Sequence, residues 1–273
     1  MGRRRPPPPR IPGLVDAHCH LDYEPMSDDI RAAVDKARSV GVEQFVHVGC
    51  TRVSQPHAVR LAAEHSEIFA AIGIHPHEAS TTDAQALADL ERLAGEPKVV
   101  AIGETGLDYH YNLSAPEQQR SSLAAHVELA RRLEMPLVLH IREAHDEALT
   151  IVRDAGPRPD APGMVHCFTA GPAEAEAWLS LGFHLSFSGI STFPKAEEIR
   201  EAVRLTPDDR ILLETDAPYL APVPMRGTVN QPGNVAFTCQ RLAEVRGVDP
   251  HTLATQAAQN TRALLAMPEP AQA

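Results

Sequence analysis

Short runs rich in Val, Ile, Leu and Ala recur along this chain, separated by longer stretches in which apolar residues return every three or four positions. Eight such runs stand at residues 14–19, 44–49, 69–74, 99–103, 137–141, 163–167, 184–188 and 211–215. Near-continuous apolar character over so few residues predicts strands buried on both faces. The intervening stretches predict helices at 27–40, 54–65, 82–94, 116–133, 144–154, 172–181 and 195–205. A Pro-rich loop at 217–232 and two further helices, 235–246 and 250–266, close the pattern. Ser27 is the expected N-cap of the first helix and Gly41 its stop. Parallel neighbours need a crossover, normally helical, so this alternation predicts a (β/α)8 TIM barrel in the α/β class. No linker or repeat divides it. The expected domain is 13–267, with 1–12 as a disordered, basic and Pro-rich extension and 268–273 as a frayed tail.

A barrel of this kind gathers the ends of distant strands onto one face. Five of the eight runs carry a ligand-type residue at or just past their end: His20, Glu104, His140, His166 and Asp216. Strand side chains alternate, so His18 shares a face with His20, and the two imidazoles can chelate one ion. The alternative for that pair is burial with both rings hydrogen-bonded. Glu104 has two oxygens and can bridge two cations, although a single loop acid is more often solvated or salt-bridged. His140 and His166, taken one at a time, also read as satisfied core histidines. Asp216 can ligate a metal and accept a proton from water, or cap the turn before Pro218. Six ligand-type side chains at five strand ends have no cheap structural explanation, because buried imidazoles and carboxylates are costly unless paired or metallated. The expected centre is that of a hydrolase using two metal ions, with His18, His20, Glu104, His140, His166 and Asp216 as ligands.

Composition narrows the setting. Hydrophobic residues make up 43% but aromatics only 4%, so aliphatic side chains must fill the core. A net charge of −11 argues against a broad basic groove for nucleic acid. The four cysteines form no CxxC pair, which argues against a disulfide framework and makes the cytoplasm the default compartment. The opening arginines lack the apolar core of a signal peptide. No apolar stretch approaches the ~18 residues of a membrane span.

With those residues in view, the chain resembles the TatD family of metal-dependent deoxyribonucleases, within the amidohydrolase-like barrels. The motifs are DAHCHLD at 16–22, GIHPH at 73–77, GETGLDYH at 103–110, HIREA at 140–144, HCF at 166–168 and ETDAPYLAP at 214–222. Arg226-Gly227 and Asn230-Gln231-Pro232 match an RG…NxP loop. The resemblance implies one metal among His18, His20, Glu104 and Asp216, and a second among Glu104, His140 and His166. Glu104 is then the bridge, where other amidohydrolase-like barrels often use a carboxylated lysine. Two departures, Thr169-Ala170-Gly171 after HCF and His145 in place of a common acid, bear on substrate preference.

The resemblance further implies 3′→5′ exonuclease action on single-stranded DNA, met transiently at strand ends, while residue spacing alone leaves exo or endo action, and DNA or RNA, open; the sequence points to no membrane and to no obligate protein partner. Two divalent cations can acidify a water and stabilise an in-line displacement, leaving Glu104 and Asp216 as catalytic groups. Mg or Mn is expected to support turnover, while the imidazole-rich ligands favour Zn or another transition metal. Arg142 is a candidate phosphate contact, or else a salt-bridged surface residue. His75 and His77 are candidates for phosphate contact or leaving-group protonation, and Arg226 and Asn230 for the nucleotide. Tyr109, Tyr111 and Phe168 can stack on a base or simply pack. The competing activity is hydrolysis of a small C–N, lactone or phosphate-ester substrate on the same barrel.

Overall fold

The computed structural model describes residues 5–270. Eight parallel strands run in chain order around one sheet. They are β1 (Leu14–Cys19), β2 (Val42–Gly49), β3 (Ile68–Ile72), β4 (Val99–Asp108), β5 (Leu137–Arg142), β6 (Gly163–Val165), β7 (His184–Phe187) and β8 (Ile211–Leu213). The crossovers carry α1 (Ile30–Ser39), α2 (Ser54–Glu64), α3 (Ala84–Ala94), α4 (Pro116–Arg132), α5 (His145–Ala155), α6 (Pro172–Ser180) and α7 (Glu197–Leu205). After β8 come α8 (Val235–Arg246) and α9 (Pro250–Leu264). No helix among the described residues is long and apolar enough to cross a membrane.

The strand residues divide by parity. Ile68, Ala70 and Ile72 join Leu137, Leu139, Leu185, Phe187, Ile211 and Leu213 in a cluster with the helices. Phe69 and Ala71 join Val46, Val48, Val138, Met164 and Leu212 in a second cluster, closed by Leu264, Leu265 and Met267 at the end of α9. One face of each strand therefore meets the helices and the other meets the barrel axis. Counting upward by twos along the axial rows, Val138 leads to His140, Met164 to His166, and Leu212 through Glu214 to Asp216. The aliphatic axis ends in the polar centre by simple alternation.

Between β8 and β1 the described residues form no regular ladder. Other contacts close the seam. Asp216 N donates to His18 O at 2.9 Å and His20 N to Ala217 O at 2.8 Å. The buried Asp16 carboxylate accepts from Thr215 N at 2.8 Å and Thr215 Oγ1 at 2.5 Å. Burial pushes the Asp16 carboxyl up to about 8, against the lowering effect of those Thr215 bonds.

Three boundary expectations change. The stretch expected as one helix from Ser27 begins with a 3-10 turn, Met26–Asp28, and α1 starts after Asp29. The Asp29 side chain, not Ser27, caps it by accepting from Ala32 N at 2.9 Å. The fourth strand does not stop before Glu104. It runs on to Asp108 with a register shift between Gly103 and Thr105, so Glu104 sits mid-strand on a bulge. Gly103 has φ +146, and a Cβ there would lie 2.4 Å from Val138 O, so only glycine fits. The segments expected to be loose are partly docked. Ile11 is buried and donates its N–H to Val40 O, and Pro268 O accepts from Gln44 Nε2. Residues 1–4 and 271–273, also expected to be loose, lie outside the described residues.

Candidate active site

The bulge aims the Glu104 carboxylate at the barrel axis, and its two oxygens face different imidazoles. His140 Nδ1 and His166 Nε2 each lie 2.9 Å from Oε1, and His75 Nε2 lies 3.3 Å from it. On the other side, His18 Nε2 and His20 Nε2 stand 3.4 and 3.9 Å from Oε2. Asp216 Oδ1 completes that side, 3.8 Å from His18 Nε2 and 3.6 Å from His20 Nε2. Asp216 reaches inward from a left-handed backbone (φ 55), a conformation aspartate tolerates better than most residues.

A further layer fixes the rings. Glu214, fully buried, lies 3.3 Å from His166 Nδ1 and accepts from Cys167 N at 2.7 Å and Ser186 Oγ at 2.5 Å. Asp108 Oδ2 lies 3.2 Å from His140 Nε2 and 3.0 Å from His77 Nε2, while its Oδ1 accepts from His110 N and Tyr111 N. His20 Nδ1 meets Val48 O at 3.3 Å. Neither Asp108 nor Glu214 was singled out as a site residue in the sequence, although both stand inside the quoted motifs.

The electrostatics follow. Burial opposes ionisation of Glu104, yet His166 and His75 by charge, and His140 and His166 by hydrogen bonding, hold it well below the usual carboxylate range. Asp216 is likewise lowered: burial opposes, and the His20 bond and the His166 and His18 charges prevail. His166 goes the other way, well above an ordinary imidazole, since Glu104 and Glu214 outweigh its burial. His18 is lowered by burial and then by the neighbouring His166 charge, and its Nδ1 has no hydrogen-bond partner among the described residues.

The donor set fits metal ions. His18, His20 and Glu104 form one group, and His75, Glu104 and His140 another, with donor atoms within 4.8 Å of one another. Glu104 belongs to both groups, which is the arrangement a bridging carboxylate needs. His18, His166 and Glu214 also converge. There the Glu214 oxygens are already taken by Ser186, Cys167 and the far nitrogen of His166, so Glu214 orients a ring.

His20, Glu104, His140, His166 and Asp216 line a cavity of about 760 Å³ at the C-terminal end of the strands, a volume suited to a small ligand or a few nucleotide units. His75, His77 and Arg142 line it as well. The Arg142 guanidinium lies 4.8 Å over the Tyr111 ring and enters no ion pair among the described residues. Arg226 and Asn230 are not among the lining residues. Arg226 stacks on Phe193 instead, 4.4 Å from its ring. Asn230 is buried, with its amide donating to Thr215 O and Tyr219 O and its oxygen accepting from Gln231 N and Asn234 Nδ2. It holds the loop in place. Phe168 is buried, and Tyr109 donates to Glu147, so of the three aromatic candidates only Tyr111 opens into the cavity.

Residues 15–266 match the family model described as TatD related DNase. An uncharacterized metal-dependent hydrolase of Escherichia coli K12, YcfH, is 40% identical over 250 residues, covering 90% of this chain and 93% of that protein. A protein of Erwinia amylovora named 3′-5′ ssDNA/RNA exonuclease TatD is 38% identical over 260 residues, covering 93% of this chain and 100% of its own. Among solved structures, YJJV, a TatD homologue from E. coli K12, superposes with a TM-score of 0.87 at 30% identity, covering 93% of this chain and 98% of its own. With a model match across nearly the whole barrel and relatives at this identity, the chain belongs to the TatD family of metal-dependent hydrolases.

Proposed function

We propose that this protein is a two-metal phosphodiesterase that removes nucleotides from the 3′ end of single-stranded DNA. The observation that carries the reading is the two-sided Glu104, with an imidazole set on each oxygen and, in the same cavity, the Arg142 guanidinium, which enters no ion pair among the described residues. Glu104, Asp108, Asp216, Glu78 and Glu143 also line that cavity, against Arg142 as its one arginine. A phosphate would be repelled there without added positive charge, so an anionic substrate and divalent cations belong together in this pocket.

His18, His20, Glu104 and Asp216 would hold one cation, and Glu104, His140 and His166 the other, with His75 close to the same Glu104 oxygen. Divalent ions bound there would supply Lewis-acid polarisation of the phosphate and acidify the attacking water. Asp216, kept ionised by its imidazole neighbours, orients the water and takes its proton. The water oxygen bonds to phosphorus, the P–O3′ bond breaks, and the leaving 3′ oxygen takes a proton from His77, whose Nε2 lies 3.0 Å from Asp108 Oδ2. Arg142 holds a non-bridging oxygen. Imidazole-rich ligation favours Zn or another transition metal at rest, with Mg or Mn supporting turnover. The name of the Erwinia relative supports the substrate class.

The test is cleavage of 5′-labelled single-stranded DNA with Mg²⁺, Mn²⁺ or EDTA, beside Glu104→Gln and Asp216→Asn. The expected result is a ladder shortening from the 3′ end, absent in EDTA and in both variants. Intact DNA in every metal, from folded and metal-loaded protein, would instead favour the small-substrate hydrolase.

A further inference from the structure

Aromatic residues are scarce in this chain, yet three of its four tyrosines, Tyr23, Tyr111 and Tyr219, line the cavity mouth. They are 39%, 55% and 51% exposed, and no other aromatic among the described residues is counted as exposed. The most exposed aromatic rings among the described residues therefore stand together at the active site. Open rings are costly to leave in water and are suited to stacking on a flat ligand.

The three rings form two walls. Tyr23 and Tyr219 stand 6.2 Å apart, edge to face, and both flank His20, at 5.5 and 6.3 Å. This wall rises over the Oε2 side of Glu104, beside Asp216. Tyr111 stands 5.5 Å from His77, with the Arg142 guanidinium over its ring. His77 and His140 share Asp108, so the second wall rises over the Oε1 side. The bridging carboxylate lies between the walls.

Resting on the phosphodiesterase reading above, we propose that the two walls stack the bases on either side of the cleaved phosphate. Tyr23 and Tyr219 take the 3′-terminal base, and Tyr111, backed by Arg142, takes the preceding one. The polarity follows from in-line displacement. Water attacks from the Asp216 side, so the leaving oxygen faces His77. That oxygen is the 3′ oxygen of the preceding nucleotide, which places its base against Tyr111. Bases drawn to opposite walls can neither stack on each other nor stay paired, so the smallest good substrate is an unpaired dinucleotide end.

The test compares kcat/KM on three 5′-labelled oligonucleotides: natural, abasic at the 3′-terminal position, and abasic at the penultimate position. With wild-type protein each missing base is expected to lower kcat/KM roughly ten-fold. Tyr23→Ala and Tyr219→Ala should lower it similarly on natural DNA and become indifferent to the terminal base, while still requiring the penultimate one. Tyr111→Ala should show the reverse, and the Phe variants should keep both preferences. A binding readout uses 2-aminopurine at the terminal position. Its emission should be quenched by wild type and Tyr23→Phe but not by Tyr23→Ala, a signature that a merely structural tyrosine would not move. Alanine variants that retain both base preferences would sink the stacking while leaving the nuclease reading intact. A swapped pattern would overturn the polarity. Wild-type protein that cleaves no oligonucleotide would overturn the nuclease reading and this proposal with it.

Discussion

Two buried histidines in this barrel have opposite surroundings. His166, at the end of β6, lies between two carboxylates, 2.9 Å from Glu104 on one nitrogen and 3.3 Å from Glu214 on the other. His126, on the buried face of α4, accepts from Ile74 N at 3.2 Å and meets Ser122 O at 2.8 Å, so both of its nitrogens face uncharged backbone. Burial alone pushes His126 down to about 4, whereas the acids hold His166 well above its ordinary value. Burial therefore does not mark a working imidazole; the charge of its partners does. His126 secures the loop that carries His75, and His166 faces the bridging acid.

The comparison breaks first at Glu104. Glu104→Gln should lower phosphodiesterase turnover about a thousand-fold or more, roughly 4 kcal/mol of transition-state stabilisation, with loss of bound metal by elemental analysis. Near-normal turnover would mean that the bridge is unnecessary. Glu214→Gln tests the layer behind His166. It leaves a neutral acceptor in place of the acid and should weaken metal binding about 10- to 100-fold, read by competition with a chelating dye. His126→Gln should change that affinity far less, because His126 touches no donor of the centre and acts only on the loop that carries His75.

Chelation should separate the regions by stability. Binding at one hundred times the dissociation constant adds about 2.7 kcal/mol, so EDTA should lower the wild-type Tm by several degrees. Glu104→Gln should show little change. An EDTA-insensitive Tm in wild type would argue against tight metal in the centre.

Acid sharpens the contrast from the other side. Unfolded, His126 takes up a proton near pH 6.5; folded, only near pH 4. Between those values the unfolded chain binds more protons, so the stability conferred by the neutral ring is complete above pH 6.5 and declines as pH falls toward 4. Urea titrations of metal-free protein at pH 7.5 and 5 should show a loss on the order of one to a few kcal/mol, smaller in His126→Gln. Equal losses in the two proteins would remove His126 as the cause.

Much of this architecture was legible in the chain. Each expected strand overlaps an observed one, because a short apolar run between turn signals has few other ways to be buried. The six side chains expected to hold metal do converge, because a barrel brings successive strand ends to one face. Glu104 was misplaced at a strand end because a bulge leaves no mark on hydrophobic periodicity. Asn230 reads as a polar loop residue open to ligand, yet its amide is satisfied by Thr215, Tyr219 and Asn234. Tyr23 and Tyr219 carry no signal of their own. They meet only where the first and last strands close the barrel.

The sequence by itself determined the order of the strands, the aliphatic filling of the barrel and the inventory of imidazoles and carboxylates. Those are properties of side-chain type and short-range spacing. Only the tertiary structure decided which oxygen of Glu104 faces which histidine, that Asp108 and Glu214 stand behind the rings, and that the exposed tyrosines form two walls. Those depend on contacts between segments distant in the chain, fixed by the bulge in β4 and the seam between β8 and β1, and no local pattern encodes them.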